Sequence, residues 1–327
     1  MYINRSYPLS LLLGWTAKFI LVFLLIDAVP VLLHRFLDYD FIRIPWLPIA
    51  LIGTALAFYL GFKTNASYDR LWEARKIWGS IVNDSRSFAV LVDAYVKDTE
   101  VKRRIIRRHV AWLTALRFQM RERRGWEHNN LRDNAQYRNS TGVDEFDHTL
   151  SEKLPDYLSE EEAKAVLALK NPAVHILRNQ MSEISALRDK EDLDGFKTME
   201  MSGVIRNLHD HQGKSERIKN FPFPRQYASL NFYYVWLFII LLPFGMIGEF
   251  EKLGENYVWM SIPFCTIISW VFYTMEMIGD YSENPFEGSF NDVPITTICR
   301  TIETDLFEMI QEPIGPANAN PSKLVVF

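Results

Sequence analysis

The stretch that decides the fold, residues 48–86, reads PIALIGTALAFYLGFKTNASYDRLWEARKIWGSIVNDSR. It is uncharged through Phe62, carries charged residues from Lys63 onward, and contains no proline after Pro48. Because no proline interrupts it, the pattern predicts one long helix that passes from lipid into water. The uncharged part is about 16 residues, slightly fewer than the ~20 that span a bilayer, so we expect it to lie in a bundle.

One face of this predicted helix carries bulky residues at regular spacing. Thr54, Phe58 and Phe62 recur at every fourth position and therefore share a face. Two interpretations are open at this point. Aromatic residues at such spacing usually belong to a packed core, but they can also form a hydrophobic constriction that excludes water from a pore.

The whole chain divides between lipid and water. Its 327 residues are 48% hydrophobic and 14% aromatic. Apolar runs at 9–33, 227–247 and 257–278 join the run described above to give four predicted transmembrane helices. The predicted fold class is therefore all-α, a membrane protein with four transmembrane helices and a large helical cytosolic region.

Four regions follow along the chain. Residues 1–62 form the first transmembrane hairpin, 63–226 a cytosolic helical region, 227–278 the second hairpin and 279–327 a cytosolic C-terminal segment. The first apolar run lacks a small-residue cleavage site, so we interpret it as a retained helix, in which Lys18 and Asp27 are either functional or structural charges.

Basic residues are concentrated between residues 97 and 124. The positive-inside rule then predicts a multi-pass protein of the cell (inner) membrane with both termini in the cytosol. Apolar residues alternate with the basic ones at helical spacing, which favours an amphipathic helix with a solvated basic face over a lipid- or RNA-binding surface.

Local sequence signals predict the secondary structure of the rest of the cytosolic region. Residues 125–150 are rich in Asn and Asp without a sustained period, which predicts a loop. Ser159, Pro172 and Asp194 mark helix boundaries from which short amphipathic helices continue to Ile218.

The small net charge of −4 argues against a nucleic-acid partner, and two cysteines do not indicate a disulfide framework. His209 and His211 are two residues apart, so they point to different sides of a helix, and we expect no metal site and no cofactor. No nucleophile or dinucleotide motif occurs, which argues against an enzyme.

Two motifs lie far apart, each beside an apolar run. The first, GFKTNASYDRLWEARKIWG at 61–79, includes Asn65, Ser67, Tyr68, Arg70, Trp72, Glu73, Arg75 and Trp78. The second contains Asn284, Pro285 and Phe286 and is followed by NDVP at 291–294. Together they resemble the signature of the bestrophin family of ion channels in its bacterial and plant branch.

The resemblance implies a homopentamer in which the second membrane helix of each copy lines an axial pore. It places the pore neck at Thr54, Phe58 and Phe62 and a cytosolic constriction at Phe196. The family pattern at the neck is large and apolar, so Thr54 is a departure that leaves open whether the outer ring closes the pore. The dense acidic run that serves calcium gating in animal members is absent after Phe286, so we expect no calcium gating.

The resulting expectation is a passive, chloride-selective channel with a hydrophobic gate, because phenyl edges carry a partial positive charge. The alternatives are a sodium channel of the same fold and a non-conducting membrane-anchored scaffold. The expected partners are inorganic ions, the lipid bilayer and further copies of the chain. The gating stimulus and the role of residues 313–327 are left open.

Overall fold

The computed structural model describes residues 8–37, 43–127, 143–289 and 291–312, and within these ranges it is helical with no β-strand. The α-helices, in chain order, are α1 (Leu9–Leu37), α2 (Trp46–Tyr95), α3 (Thr99–Arg121), α4 (Asp144–Asp147), α5 (Leu150–Lys153), α6 (Glu160–Leu167), α7 (Pro172–Asp189), α8 (Gly195–Asn220), α9 (Arg225–Glu251), α10 (Ser261–Ser282) and α11 (Ile295–Met309). Short 3₁₀ helices cover Leu154–Asp156 and Glu255–Met260. The predicted all-α class is confirmed.

Four helical segments of the described residues are long and apolar enough to cross a membrane. They are Leu12–Leu37, Trp46–Tyr95, Arg225–Glu251 and Glu255–Ser282. The four predicted spans are therefore confirmed. Helix α1 continues to Leu37, four residues beyond the apolar run at 9–33, and residues 38–42 lie outside the described residues.

Helix α2 is the longest element of the described chain. The predicted single helix is confirmed and extends further, to 50 residues. At 1.5 Å per residue it is about 75 Å long, more than twice the ~30 Å hydrocarbon core of a bilayer. A large part of α2 therefore lies outside the lipid.

Packing divides the chain into two compact units. The membrane unit contains the described residues of Asn4–Asp69 and Phe223–Glu283. The polar unit contains the described residues of Arg70–Pro222 and Asn284–Phe327. These units follow packing, whereas the four regions predicted from hydropathy follow the membrane, so those region boundaries stay predictions.

The membrane unit is held together by aromatic and aliphatic packing among α1, α2, α9 and α10. Phe23 is fully buried against Trp236 and Tyr273. The two charges noted in α1 differ in their surroundings, since Lys18 is exposed with its Nζ 4.7 Å from the centre of the Phe19 ring. Asp27, in contrast, is buried and accepts a hydrogen bond from Thr266 Oγ1 at 2.9 Å.

Helix α3 shows that one prediction is partly wrong. Its basic residues were expected on a solvated face, and Arg104 and Arg107 are exposed, but Arg108, Arg117 and Arg121 are buried. Each of them faces carboxylates from other segments, for example Glu162 Oε1, 2.8 Å from Arg108 Nε. Periodicity identifies the apolar face of a helix but does not show that acidic segments cover its opposite face.

The predicted loop at 125–150 is also partly wrong. Residues 128–142 lie outside the described residues, but Asp144–Asp147 forms α4. Arg117 Nη2 lies 2.9 Å from Asp144 Oδ2, and Thr296 donates to Glu145, so the segment is fixed by contacts distant in sequence. Local composition carries no information about such contacts.

The predicted helix starts at Ser159 and Pro172 and the predicted helix break at Asp194-Gly195 are confirmed. Ser159 caps α6 by accepting a hydrogen bond from the Glu162 amide, and Asp194 caps α8 by accepting from the Lys197 amide. Pro172 occupies the first position of α7, where its missing N–H costs nothing. These signals are local, and the structure follows them.

Candidate functional site: the exposed face of α2

Helix α2 buries one side and leaves the opposite side open. In the membrane unit, Gly53, Leu60 and Ser67 recur every seventh residue and are buried. The exposed strip, as we call the open side, consists of Leu51, Thr54, Phe58, Phe62, Asn65 and Asp69. The helix therefore presents a continuous surface that no described part of the chain covers.

Three residues predicted to form a pore neck lie on the exposed strip. Phe58 is 69% exposed and Phe62 is 71% exposed, so neither ring belongs to the core of the isolated chain. This excludes the interpretation of the two rings as core aromatics within one copy. Thr54 is also exposed, and its hydroxyl donates to the Ala50 carbonyl at 2.9 Å, so its hydrogen-bonding need is met by its own helix.

A groove of about 740 Å³ runs beside the phenylalanines. Its α2 wall is built from small residues, including Ala50, Gly53, Ala57 and Gly61. Phe238 of α9 forms part of the opposite wall, and a Cβ at Gly53 would lie only 2.8 Å from its ring. Gly53 is therefore required for the close approach of α9 to α2.

Lys63 directly follows the second phenylalanine but does not belong to the exposed strip. Its Nζ is buried between Glu276, at 2.5 Å from Oε1, and Asp280. Asn231 donates a further hydrogen bond to Glu276. Two carboxylates surround one ammonium group, so the positive charge of this motif is neutralised inside the unit.

The polar unit brings parts of the two sequence motifs together. Trp78 and Phe286 are fully buried, and their ring centres are 6.3 Å apart. Arg70 donates to the carbonyls of Ile218, at 2.6 Å, and Phe221, at 2.5 Å, which neutralises the C-terminal end of α8. The structure therefore gives these signature residues packing and capping contacts.

The remaining residues of the first motif fall into two groups. Glu73 pairs with Arg217 at 2.6 Å, and Ser67 is fully buried in the membrane unit. Asn65, Tyr68, Trp72 and Arg75 are exposed. Sequence reasoning alone did not separate the buried signature residues from the exposed ones, although the seven-residue spacing of the buried positions was visible.

The segment after α10 uses its acidic residues within the same chain. Asp292 accepts hydrogen bonds from the amides of Gly288, at 2.6 Å, and Ser289, at 3.1 Å. Arg121 Nη1 lies 3.6 Å from the same carboxylate and donates to the Phe286 carbonyl at 3.0 Å. Burial raises the pKa of the Asp292 carboxyl, while Arg121 lowers it.

Two more carboxylates of this region pair inside the membrane unit. Glu283 is buried and accepts from Arg225 at 3.1 Å, and Asp280 pairs with Lys63. Asn284 and Pro285 are buried like Phe286. These acidic groups therefore have partners within the same chain.

Phe196, the predicted cytosolic constriction, is the second residue of α8 and is 83% exposed. Met199 follows one turn later and is also exposed. The C-terminal end of α2 is nearby, since the hydroxyl of its last residue, Tyr95, donates to Glu200 of α8 at 2.7 Å. Sequence reasoning did not identify Met199 as a second exposed apolar residue beside Phe196, although their spacing of three indicates a shared helix face.

No group of three or more potential metal ligands occurs within the described ranges. His211 Nε2 instead lies 2.8 Å from Asp84 Oδ2. His209 lies two positions before His211 in the sequence, and burial lowers its pKa.

Residues 10–308 match the family model described as Bacterial/Fungal Bestrophin protein. The chain belongs to this bestrophin family. It is 28% identical over 283 residues to YneE of Escherichia coli K12, a protein named as voltage-dependent anion channel-forming, covering 86% of this chain and 82% of that protein. A Ralstonia nicotianae protein of the same description is 30% identical over 282 residues, covering 83% and 82%.

Bestrophin structures show the same fold. The crystal structure of a bacterial bestrophin homolog from Klebsiella pneumoniae aligns with a TM-score of 0.77 at 25% identity, covering 90% of this chain and 98% of that one. The family resemblance carried by the two sequence motifs is thereby confirmed. Since the match extends over most of the chain, it includes both α2 and the segment after α10.

Proposed function

We propose that this bestrophin-family chain forms an anion channel whose pore is lined by the exposed strip of α2. The observation that carries the proposal is the exposure of Phe58 and Phe62 on an uncharged part of a membrane helix. Bulky apolar rings around an axis resist wetting, so they would gate conduction by excluding water.

A pore requires several copies of the chain. One α2 leaves its exposed strip uncovered, and a single helix cannot enclose water. The small residues that line the neighbouring groove, such as Ala57 and Gly61, would allow a second copy to approach closely. Five copies around one axis is the arrangement that the family resemblance suggests.

The choice of an anion rests on two supports. The relatives described above are named as anion channel-forming proteins. In addition, phenyl edges turned toward the axis favour a partly dehydrated anion. Lys63 makes no contribution, because Glu276 and Asp280 neutralise it.

Three neck residues would form successive rings at Thr54, Phe58 and Phe62. The Thr54 hydroxyl donates its hydrogen bond to a carbonyl of its own helix, so a ring of these residues is less polar than a ring of free hydroxyl groups would be. Threonine is smaller than phenylalanine, however, so the outer ring would assist closure only weakly, and the two phenylalanine rings would form the gate. Phe196 would form a second constriction, on the cytosolic side of an inner membrane.

Calcium gating is not part of the proposal. A calcium site needs six to eight oxygen ligands, usually with several carboxylates. Asp292 is occupied by two backbone amides and lies beside Arg121, and Glu283 is paired with Arg225. A divalent cation at either carboxylate would have to displace these contacts and would be repelled by the guanidinium group that faces it.

The test is the reversal potential of the purified protein in planar bilayers under a sodium chloride gradient. We expect a value near the chloride equilibrium potential and no response to calcium. Phe58→Ala should increase the conductance, because it removes apolar bulk from the neck. Phe264→Ala is the matched control, since Phe264 is also an exposed membrane aromatic but lies outside the groove.

A reversal at the sodium equilibrium potential would contradict the anion choice, and tight liposomes at high protein density would contradict conduction itself. Mass measurement of the solubilised complex tests the number of copies. Five is expected, and a monomer would rule out the shared pore.

A further inference from the structure

Asp69 is an exposed carboxylate on α2 that the proposed gate does not use. It makes no ion pair or hydrogen bond with any other residue that the structure describes. Between Trp46 and Asp69 the only charged side chains are Lys63 and Asp69 itself. Because Lys63 is buried and paired, Asp69 is the charge that this part of α2 presents to its surroundings.

Helical geometry puts Asp69 in line with the two neck phenylalanines. A residue in an α-helix is rotated by about 100° from its predecessor, so Asp69 lies about 20° from Phe58 and about 20° from Phe62, between the two. The rise of 1.5 Å per residue places it about 10 Å beyond Phe62 along the helix. Whatever surface the two rings face, Asp69 faces it as well.

Arg70 and Glu73, the next two charged residues along α2, do not offer the same possibility. Arg70 is engaged by the carbonyls of Ile218 and Phe221, and Glu73 is paired with Arg217. A single exposed carboxylate, repeated once per copy around an axis, forms a ring of negative charge. Acidic rings of this kind attract cations and repel anions in channels.

We propose that Asp69 is a specificity-determining residue that sets the balance between anions and cations in this channel. The inference rests on the proposed function, since it needs the exposed strip of α2 to face the pore. Its carboxylate raises the local concentration of monovalent cations just beyond the neck. It therefore opposes the preference for anions that the phenyl edges create, and the two effects together fix the selectivity.

The test is a series of charges at one position, measured as the chloride-to-sodium permeability ratio under a sodium chloride gradient. Asp69→Asn removes the charge, Asp69→Lys reverses it and Asp69→Glu retains it. We expect the ratio to rise by about two- to fivefold for Asp69→Asn and further for Asp69→Lys, because close charges interact at this scale even in water. Asp69→Glu should match the unaltered protein.

Salt and a control variant separate this effect from general surface charge. The difference between variants should shrink at about 1 M salt, where the screening length falls to ~3 Å. Asp189→Asn, which removes an exposed carboxylate from the end of α7, should leave the ratio unchanged. Each variant should elute like the unaltered protein in detergent, since Asp69 has no described partner to lose.

The outcomes distinguish this inference from the function on which it rests. Identical permeability ratios for Asp69→Asn, Asp69→Lys and the unaltered protein would overturn the role of Asp69 while leaving conduction intact. A reversal near the sodium equilibrium potential in the unaltered protein, with the ratio still rising along the series, would overturn only the anion choice. Absence of any current in all variants would overturn both.

Discussion

The two units of this chain differ in how their buried charges are paired. In the membrane unit, the charge cluster beside the proposed neck is small and depends on one cation, Lys63, which holds Glu276 and Asp280 together. In the polar unit, α3 contributes several buried arginines, each facing carboxylates from different segments. Arg108, for example, contacts both Glu162 of α6 and Glu183 of α7.

The difference follows from the solvent that each unit meets. Lipid offers no hydrogen bonds, so charges there must be few and fully satisfied inside the protein. In the polar unit, long planar guanidinium groups connect segments that local sequence would leave separate, such as α4 and α3 through Arg117. The cluster of Glu276 and Asp280 therefore depends on one cation, whereas the buried charges of the polar unit are connected through several arginines.

The largest expected effect is from removing Lys63, the buried cation that pairs with Glu276 and Asp280. Lys63→Met leaves Glu276 buried without its ammonium partner, and breaking a buried pair in this way costs about 3–5 kcal/mol. The midpoint of thermal unfolding in detergent should fall sharply. Lys63→Met combined with Glu276→Gln should regain part of the loss, and an unchanged midpoint in the single variant would show that the ammonium group is not needed.

Removing one arginine of the polar unit should cost less. Arg117→Met leaves Glu145 with its hydrogen bond from Thr296 and Asp144 with Lys153 nearby, so we expect a loss of about 2–3 kcal/mol. Denaturant unfolding followed by tryptophan fluorescence measures it. Arg117→Lys keeps the charge but not the planar guanidinium group, so its free energy of unfolding should lie between those of Arg117→Met and the unaltered protein. A loss for Arg117→Met larger than that for Lys63→Met would reverse the comparison.

The polar unit also contains a buried neutral imidazole that makes stability depend on pH. His109 is stacked against Phe88, and burial lowers its pKa to about 3. The unfolded chain, with an ordinary histidine pKa, binds a proton below about pH 6.5 that the folded chain rejects. Stability is therefore present above that pH and is lost as the pH falls, by about 2 kcal/mol between pH 7 and pH 5.

His109→Leu removes this contribution. Unfolding free energies measured at pH 7 and pH 5 should then differ by less than in the unaltered protein. An equal pH dependence in both proteins would assign the acid sensitivity to other groups.

The smallest effect is expected for an exposed pair of the same network. Arg104 is exposed, and its partner Glu183 keeps Arg108 when Arg104 is removed. Arg104→Ala should change the free energy of unfolding by about 0–1 kcal/mol, as exposed ion pairs usually do. A loss as large as that of Arg117→Met would mean that exposure does not determine which arginines matter.

Sequence patterns predicted the elements whose causes are local. Four apolar runs gave the four membrane helices, the absence of proline after Pro48 gave the continuous α2, and Ser159 and Asp194 gave helix starts. Spacing alone placed Thr54, Phe58 and Phe62 on one face. The two motifs identified the family, because each combines unusual residues in a fixed order.

The sequence patterns did not predict contacts between segments that are distant along the chain. The burial of Arg108 and Arg117 on α3 and the helix α4 within the predicted loop at 125–150 were not predicted, because the carboxylates that pair with these arginines come from other parts of the chain. The sequence likewise could not show that Lys63 is buried and neutralised while Asp69 is exposed.

The sequence by itself determined which segments enter lipid, where the long helix runs and to which family the chain belongs, since hydropathy, helix-breaking residues and motif order are properties of neighbouring residues. Only the tertiary structure decided which charges are neutralised and which face of α2 stays uncovered. Burial and ion pairing depend on residues more than a hundred positions away, such as Glu276 for Lys63, and no local pattern encodes that proximity.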